Sequence, residues 1–490
     1  MSVKQKFARS ASWMVVGTTF NQISTFVVFI VLSRILSPAQ FGLVAFATLF
    51  IDLSRPIITT GVPDALVRAP VWSQVYSSTA FWLNAVLAIL VLIAIILIGI
   101  PVVAWTGHWD TFPFLVALSA TLFIESLASV PTAILRRDFR YRELTVRTAI
   151  SSIVSGAVGI SCAFYGWGAW ALVAQRTIST TVGLFFIWHS VKWIPDFTFD
   201  RKLGREIWKF ASGLIGAQML SNLNGQIAGL VVGIGLGPTS LALYRAGNRI
   251  LLMVTQLTIA PIQRVALTAF SHVNERGGIP EVYKRLTGAS AIIACPAFVG
   301  IGALSFDLIK FLFGAKWIAS GGVMMASSLV VGVQVINYFF TPSLAAKGNT
   351  RGPVYYFASA IVGNAFLGLL AVPFGLMAVV LSQTVRGYIG LPISLIILKR
   401  EIGLRPKEIL AETWPPFLSA CLMGGGLIVL RKWAIPDFSS FAALLILIPT
   451  GMVFYFLLLL VFARSSFRRN VLELRPLMPP TIARIIGRWI

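Results

Sequence analysis

Apolar runs the length of a membrane-crossing helix, set apart by short polar segments, follow one another along almost the whole chain. A crossing takes about 20 mostly apolar residues. The runs predict helices at 11–32, 41–62, 79–100, 112–134, 148–165 and 168–188, a first lobe of six. A basic linker holding Lys192, Arg201, Lys202, Arg205 and Lys209 leads to six more, at 210–235, 241–268, 288–306, 320–340, 354–372 and 376–398. Two further runs, 414–430 and 441–463, precede a basic tail. The expected architecture is an all-α integral membrane protein of about 14 transmembrane helices. Its segments are 1–200, 201–400 and 401–490: two six-helix lobes with a central cavity between them, and two additional helices.

The two lobes repeat one another. Leu36 and Pro38, between two apolar runs, recur as Leu236 and Pro238 in the same setting. Gly166-Trp167-Gly168-Ala169 before Ala174-Gln175 is echoed by Gly375-Leu376-Met377-Ala378 before Ser382-Gln383. A weak internal repeat in a hydrophobic chain marks transporters whose halves rock about a central site. An even number of spans per lobe inserts both copies in the same orientation, so residues 11–190 are expected to overlay 211–400.

Composition agrees with the runs. Of 490 residues 57% are hydrophobic and only 12% charged, too few to clothe a soluble surface. The net charge of +23 would suggest nucleic acid in a soluble chain. Here the Lys and Arg gather in alternate loops, the bias that sets membrane orientation, and the reading is no nucleic acid and both termini cytoplasmic. Cys162, Cys295 and Cys421 stand in apolar runs at neither metal nor disulfide spacing, so no metal and no cofactor are expected. External loops are short, the longest near Pro101–Thr111 and Asp307–Ala319, which leaves no room for the folded segment that a sugar polymerase or ligase needs. The three histidines, His108, His189 and His272, offer no evident base for an acyltransferase, and the chain reads as a non-enzyme.

Ser33-Arg34-Ile35-Leu36-Ser37-Pro38-Ala39-Gln40-Phe41-Gly42, followed by Gly61-Val62-Pro63-Asp64-Ala65-Leu66-Val67-Arg68, resembles the polysaccharide transporter branch of the multidrug, oligosaccharidyl-lipid and polysaccharide exporter superfamily, the Wzx-type flippases. The resemblance implies a two-lobed exporter in the cell inner membrane. It would carry an undecaprenyl-diphosphate-linked oligosaccharide to the outer leaflet for O-antigen, capsule or exopolysaccharide synthesis. Membrane lipids, a polysaccharide polymerase and a chain-length regulator are the partners it implies. A lipid-linked peptidoglycan precursor flippase and a cation-coupled multidrug exporter of the same superfamily are the rival readings.

Ionisable groups inside spans carry the candidate chemistry, because each costs several kcal/mol to insert, about 2.5–3.5 for Arg at the centre. Arg245 and Arg249 share a face of the eighth span, where a diphosphate would relieve their repulsion. Asp52 and Arg55 lie three apart on the second span, the repeat partner of the eighth, and are placed either to neutralise each other or to face the cavity. Glu125 reads either as a lone acid, and then as the coupling-ion candidate, or as the partner of a hidden arginine. Asn21 and Asn222, with Gln22, Asn224 and Gln226, put amides on spans one and seven, for sugar hydroxyls or as glue between helices. Arg176 and Arg386 nearly coincide under the repeat and fit ties between helices. The basic stretch Leu135–Leu144 and the tail residues Arg484, Arg488 and Trp489 suit the anionic inner leaflet. A drug exporter would favour cavity acids, whereas the deep charges here favour arginine.

Overall fold

The computed structural model describes residues 3–69, 72–274, 278–349 and 351–462, and every regular element among them is helical. The chain divides into two compact units, Met1–Leu243 and Tyr244–Ile490. The first holds α1 (Val3–Ile35), α2 (Pro38–Thr59), α3 (Val62–Arg68), α4 (Gln74–Thr106), α5 (Phe112–Leu127), α6 (Ser129–Arg137), α7 (Tyr141–Phe164), α8 (Trp170–Ser190) and the first limb of α9 (Arg201–Asn274). The second holds the rest of α9, α10 (Ile279–Ala303), α11 (Ser305–Leu312), α12 (Ala319–Ser328), α13 (Val331–Asn337), α14 (Phe340–Ala346), α15 (Arg351–Ala371), α16 (Leu376–Ile402), α17 (Pro406–Trp433) and α18 (Ser440–Phe462).

Twelve helices among the described residues are long and apolar enough to cross a membrane, and the chain is a multi-pass membrane protein. A thirteenth crossing results if the bent pair Ala319–Ser328 and Val331–Ala346, meeting at 47°, counts as one. The expected runs differ from this at identifiable places. The seventh and eighth merge into α9, interrupted only at Gly237, whose φ of 84° and ψ of 175° are not helical. The run 320–340 is broken into short helices, and 112–134 is split between α5 and α6. The supposed loop at 101–111 is partly helix, since α4 continues through Pro101 to Thr106.

The first corner follows from its residues. Ser37 accepts a hydrogen bond from the Gln40 amide at 3.3 Å, and the Gln40 side chain accepts from the Ser37 amide at 2.9 Å. This reciprocal cap fixes the start of α2, and Pro38 at the first helical position gives up an N–H that had no helical partner anyway. Gly42 lets the backbone of α2 approach the second corner: a Cβ there would stand 2.4 Å from the Pro238 carbonyl oxygen. The two Leu-x-Pro corners therefore touch inside the first unit. Around them α2, α4, α5 and α8 share a core that includes Ala47, Ile51, Ala88, Leu118 and Val173. In lipid such close packing by small and well-fitted side chains holds helices together, because tails offer apolar groups no less than a neighbouring helix does.

Gly42→Ala forces a methyl against backbone and should lower stability by about 1–3 kcal/mol. Gly425→Ala in α17, whose added methyl meets nothing within 4 Å, should leave stability unchanged. Thermal unfolding of the purified protein in detergent measures both, and equal midpoints would mean that the corner yields without cost.

Candidate functional site

The polar heart of the first unit forms where α2 is interrupted. Pro56 lies in the last turn of α2 and has no amide hydrogen for the carbonyl four residues back, which is that of Asp52. Asn222, on the first limb of α9, donates its side-chain amide to this carbonyl at 2.6 Å. The helix ends soon after, and Gly61, at φ 75°, turns the chain into α3. Asn84 donates to the carbonyl of Ile58 at 3.3 Å beside the same turn. Asn222, expected either to meet sugar hydroxyls or to act as glue between helices, thus holds the backbone of a neighbouring helix.

Asp52 and Arg55 reach to different helices. Arg176 on α8 donates Nη2 to Asp52 Oδ1 at 2.9 Å. Arg55 grips Glu125 at the end of α5 with both arms of its fork, Nε to Oε2 at 2.9 Å and Nη2 to Oε1 at 2.6 Å. This two-point, charge-assisted geometry is the strong form of the arginine–carboxylate pair. Glu125, expected either as a lone coupling acid or as the partner of a hidden arginine, is paired with Arg55. The pair is uneven: the Glu125 side chain is 12% exposed and that of Arg55 46%.

Two polar spaces meet at this pair. An open pocket of about 310 Å³ is lined by Asp52, Arg55, Thr59, Gln218, Asn222 and Gln226. A more enclosed cavity of about 250 Å³ lies among α1, α2, α5, α6, α7 and α8, with Asn21, Glu125, Arg136 and Arg147 in its wall. Arg55 and Thr59 line both. Asn21 accepts from the Ser152 hydroxyl at 2.8 Å. Arg147 was not among the residues singled out from the sequence. Its signal was the polar stripe Arg147, Ser151, Ser155 at four-residue spacing on α7.

In the second unit, Arg245 and Arg249 are both half-buried on the second limb of α9, four residues apart beside the buried Ala246, Gly247 and Ile250. Gly247 packs closely on α12, where a Cβ would be 2.8 Å from the Ser320 carbonyl oxygen. The Arg386 guanidinium lies 5.8 Å from the centre of the Tyr356 ring. A wholly uncharged groove of about 640 Å³ runs along α17 and α18 past Gly426, Pro449 and Phe454.

The basic stretch after α5 is tied to protein. Arg136 pairs with Asp64 at 2.9 Å, and Arg137 donates to the Ala69 carbonyl at 2.7 Å, at the end of α3. Arg140 donates to the Ser190 carbonyl at 3.1 Å. Arg484, Arg488 and Trp489 lie outside the described residues. No group of three or more His, Cys, Asp or Glu suited to a metal occurs among the described residues.

Comparison with known proteins places this geometry in a family context. A family model described as "Polysaccharide biosynthesis protein" matches residues 31–321. The succinoglycan biosynthesis transport protein ExoT of Rhizobium meliloti (strain 1021) is 24% identical over 364 residues, 74% of this chain and 73% of that protein. The lipopolysaccharide biosynthesis protein WzxC of Escherichia coli (strain K12) is 21% identical over 429 residues, covering 85% of this chain and 86% of its own. Among solved structures, the lipid II flippase MurJ in an inward closed conformation superposes with a TM-score of 0.76 at 18% identity, covering 92% of this chain and 99% of that one.

The broken turn of α2 gives a direct test. Asn222→Leu should destabilise the protein by about 1–2 kcal/mol, because the Asp52 carbonyl loses its donor in a partly buried place. In a Pro56→Ala background the returned amide re-forms the helical bond, so the same substitution should cost much less. A double-mutant cycle by thermal unfolding reads the difference. Strictly additive effects would remove the link between Pro56 and Asn222.

Proposed function

We propose that this chain, which belongs to the polysaccharide biosynthesis protein family and with it to the polysaccharide transporter branch of the multidrug, oligosaccharidyl-lipid and polysaccharide exporter superfamily, is the flippase for an undecaprenyl-diphosphate-linked oligosaccharide. The observation that carries the reading is Arg55: a half-exposed guanidinium on a membrane-crossing helix, opening into a polar pocket floored by amides and a carboxylate. Such a group is costly in lipid, and its bond to Glu125 still leaves it half exposed to the pocket, where an anionic headgroup can compete for it.

The site reading takes Arg55 and Asp52 from the first unit and Arg249 and Arg245 from the second as residues lining the translocation path. Arg249 and Arg55 supply positive potential to the lipid diphosphate, and each offers a planar fork that matches phosphate oxygens. Asn21 and Asn222 border the space left for the sugar. Glu125 is the coupling-ion candidate: a proton arriving at its carboxylate would release Arg55 to the diphosphate. Alternating access then opens the path to one side at a time, while the polyprenyl tail stays in lipid.

The same reading counts fourteen crossings, adding to the twelve the bent pair and a second crossing for the two limbs of α9 on either side of Gly237. It treats 11–190 and 211–400 as copies of one duplicated unit, places the protein in the inner membrane with both termini cytoplasmic, and has it work with a polymerase and a chain-length regulator. The positive φ of Gly166 and Gly168 before α8, and of Gly375 before α16, supports the duplication, since both turns need a residue free of Cβ strain.

Arg249→Ala should abolish surface polysaccharide while the protein still inserts at normal levels. Arg249→Lys should keep partial export, because the charge survives and the fork does not. Export by Arg249→Ala equal to wild type at matched protein levels would sink the residue assignment and leave the family membership untouched.

A further inference from the structure

Arg147 feels the charges of Glu125 and Arg55 across the cavity wall they share, yet it is held unlike either. No carboxylate lies within ion-pair distance of it among the described residues, and its Nε is buried without a hydrogen-bond partner. Its one hydroxyl neighbour is remote, Thr132 Oγ1 at 3.5 Å from Nη1. Gly183 on α8 leaves room for the guanidinium, since a Cβ there would lie 3.5 Å from Nε. The side chain forms part of the wall of the 250 Å³ cavity, a space with room for about eight waters at ~30 Å³ each. A guanidinium that only a more distant carboxylate, Glu125, offsets is further stabilised by an anion brought into contact with it.

The rest of the wall says which kind of anion. Thr59, Thr132, Thr148, Ser151 and Thr180 each donate their hydroxyl hydrogen to a backbone carbonyl of their own helix, and Ser152 donates to Asn21. With their hydrogens committed, these six oxygens present lone pairs to the cavity. A halide or inorganic oxyanion would find donors at Arg147 and at the unpaired Ser129 hydroxyl, but would leave these six acceptors unanswered and would fill only a fraction of the space. A ligand with one carboxylate and several hydroxyls fits both halves: its carboxylate takes the Arg147 fork, and its hydroxyls donate to the Ser and Thr oxygens.

We propose that this cavity is a subsite for an acidic sugar residue, a uronic acid or a sugar bearing a carboxylic substituent, held by Arg147. The proposal deepens the flippase reading, in which the diphosphate occupies Arg55 and Arg249 and the glycan lies next to it. Entry from the open pocket runs past Arg55, which lines both spaces, so parting the Arg55–Glu125 pair opens the way.

Calorimetric titration of the full-length protein in detergent tests this with four probes: D-glucuronate, D-glucose, acetate and pyrophosphate. Glucuronate should bind, glucose and acetate should bind far more weakly, and Arg147→Gln should weaken glucuronate on the order of tenfold or more. Arg147→Lys should restore part of the loss, and Glu125→Gln, which loosens the wall, should strengthen glucuronate binding. Pyrophosphate binding should survive Arg147→Gln and fall in Arg249→Gln. Acetate equal to glucuronate would mean a plain anion site and overturn the sugar assignment. Absence of glucuronate binding in both wild type and Glu125→Gln overturns the subsite altogether. Glucuronate binding without pyrophosphate binding would instead count against the diphosphate reading and leave this subsite standing.

Discussion

Every backbone polar group within the hydrocarbon must find a partner inside the protein, and the polar site of the first unit is arranged around a place in α2 where the helix cannot supply it. Pro56 deprives the Asp52 carbonyl of its helical donor, and the amide of Asn222 takes the vacant position at 2.6 Å. That bond fastens the first limb of α9 to α2. It also fixes what lies beside it: the carboxylate of Asp52 is held toward Arg176, and the next turn carries Arg55 toward Glu125. The helix can then end, turn at Gly61 and present Asp64 to Arg136. Polar chemistry in this part of the membrane thus follows from one missing hydrogen.

The charges around that break are nearly all answered by protein groups on other helices. Asp52 joins α2 to α8, Arg55 joins α2 to α5, and Arg136 joins α6 to α3. Removing one member of such a pair leaves the other uncompensated, so these residues act as ties as well as candidate ligands. Arg147 differs in kind, having hydroxyls and a cavity where the others have carboxylates.

The helical class and the membrane setting were legible from run length alone, because an apolar run of about 20 residues satisfies its own backbone in lipid only as a helix. Pairing was not. Asp52 and Arg55, three apart, suggested mutual neutralisation, yet side chains on one helix face can reach different neighbours, and nothing local says that Arg176 stands 124 positions away with a better geometry. The split of 112–134 and the bend in 320–340 were hidden for a related reason: apolar composition persists through a break whose carbonyls are satisfied by nearby groups. Arg147 fell at the edge of a run, where a basic residue looks like an orientation signal, and only the cavity beside it gives it another meaning.

Reversibility follows from the way Arg55 is held. Under the proposed function the site must bind a dianionic headgroup and then release it, and an arginine already paired with a carboxylate holds that dianion less tightly than an unpaired one would. Arg55 begins in a two-point bond with Glu125, so an incoming phosphate gains only the difference between two charge-assisted pairs. That difference is small, because the exchange replaces one carboxylate fork by one phosphate fork at a guanidinium that is already half exposed. Under the proposed function the competing carboxylate is what keeps affinity within the range of a carrier. It also links the two polar spaces, since each time Arg55 turns to the open pocket it leaves the mouth of the Arg147 cavity, and a sugar can follow the diphosphate only while the arginine is engaged with it.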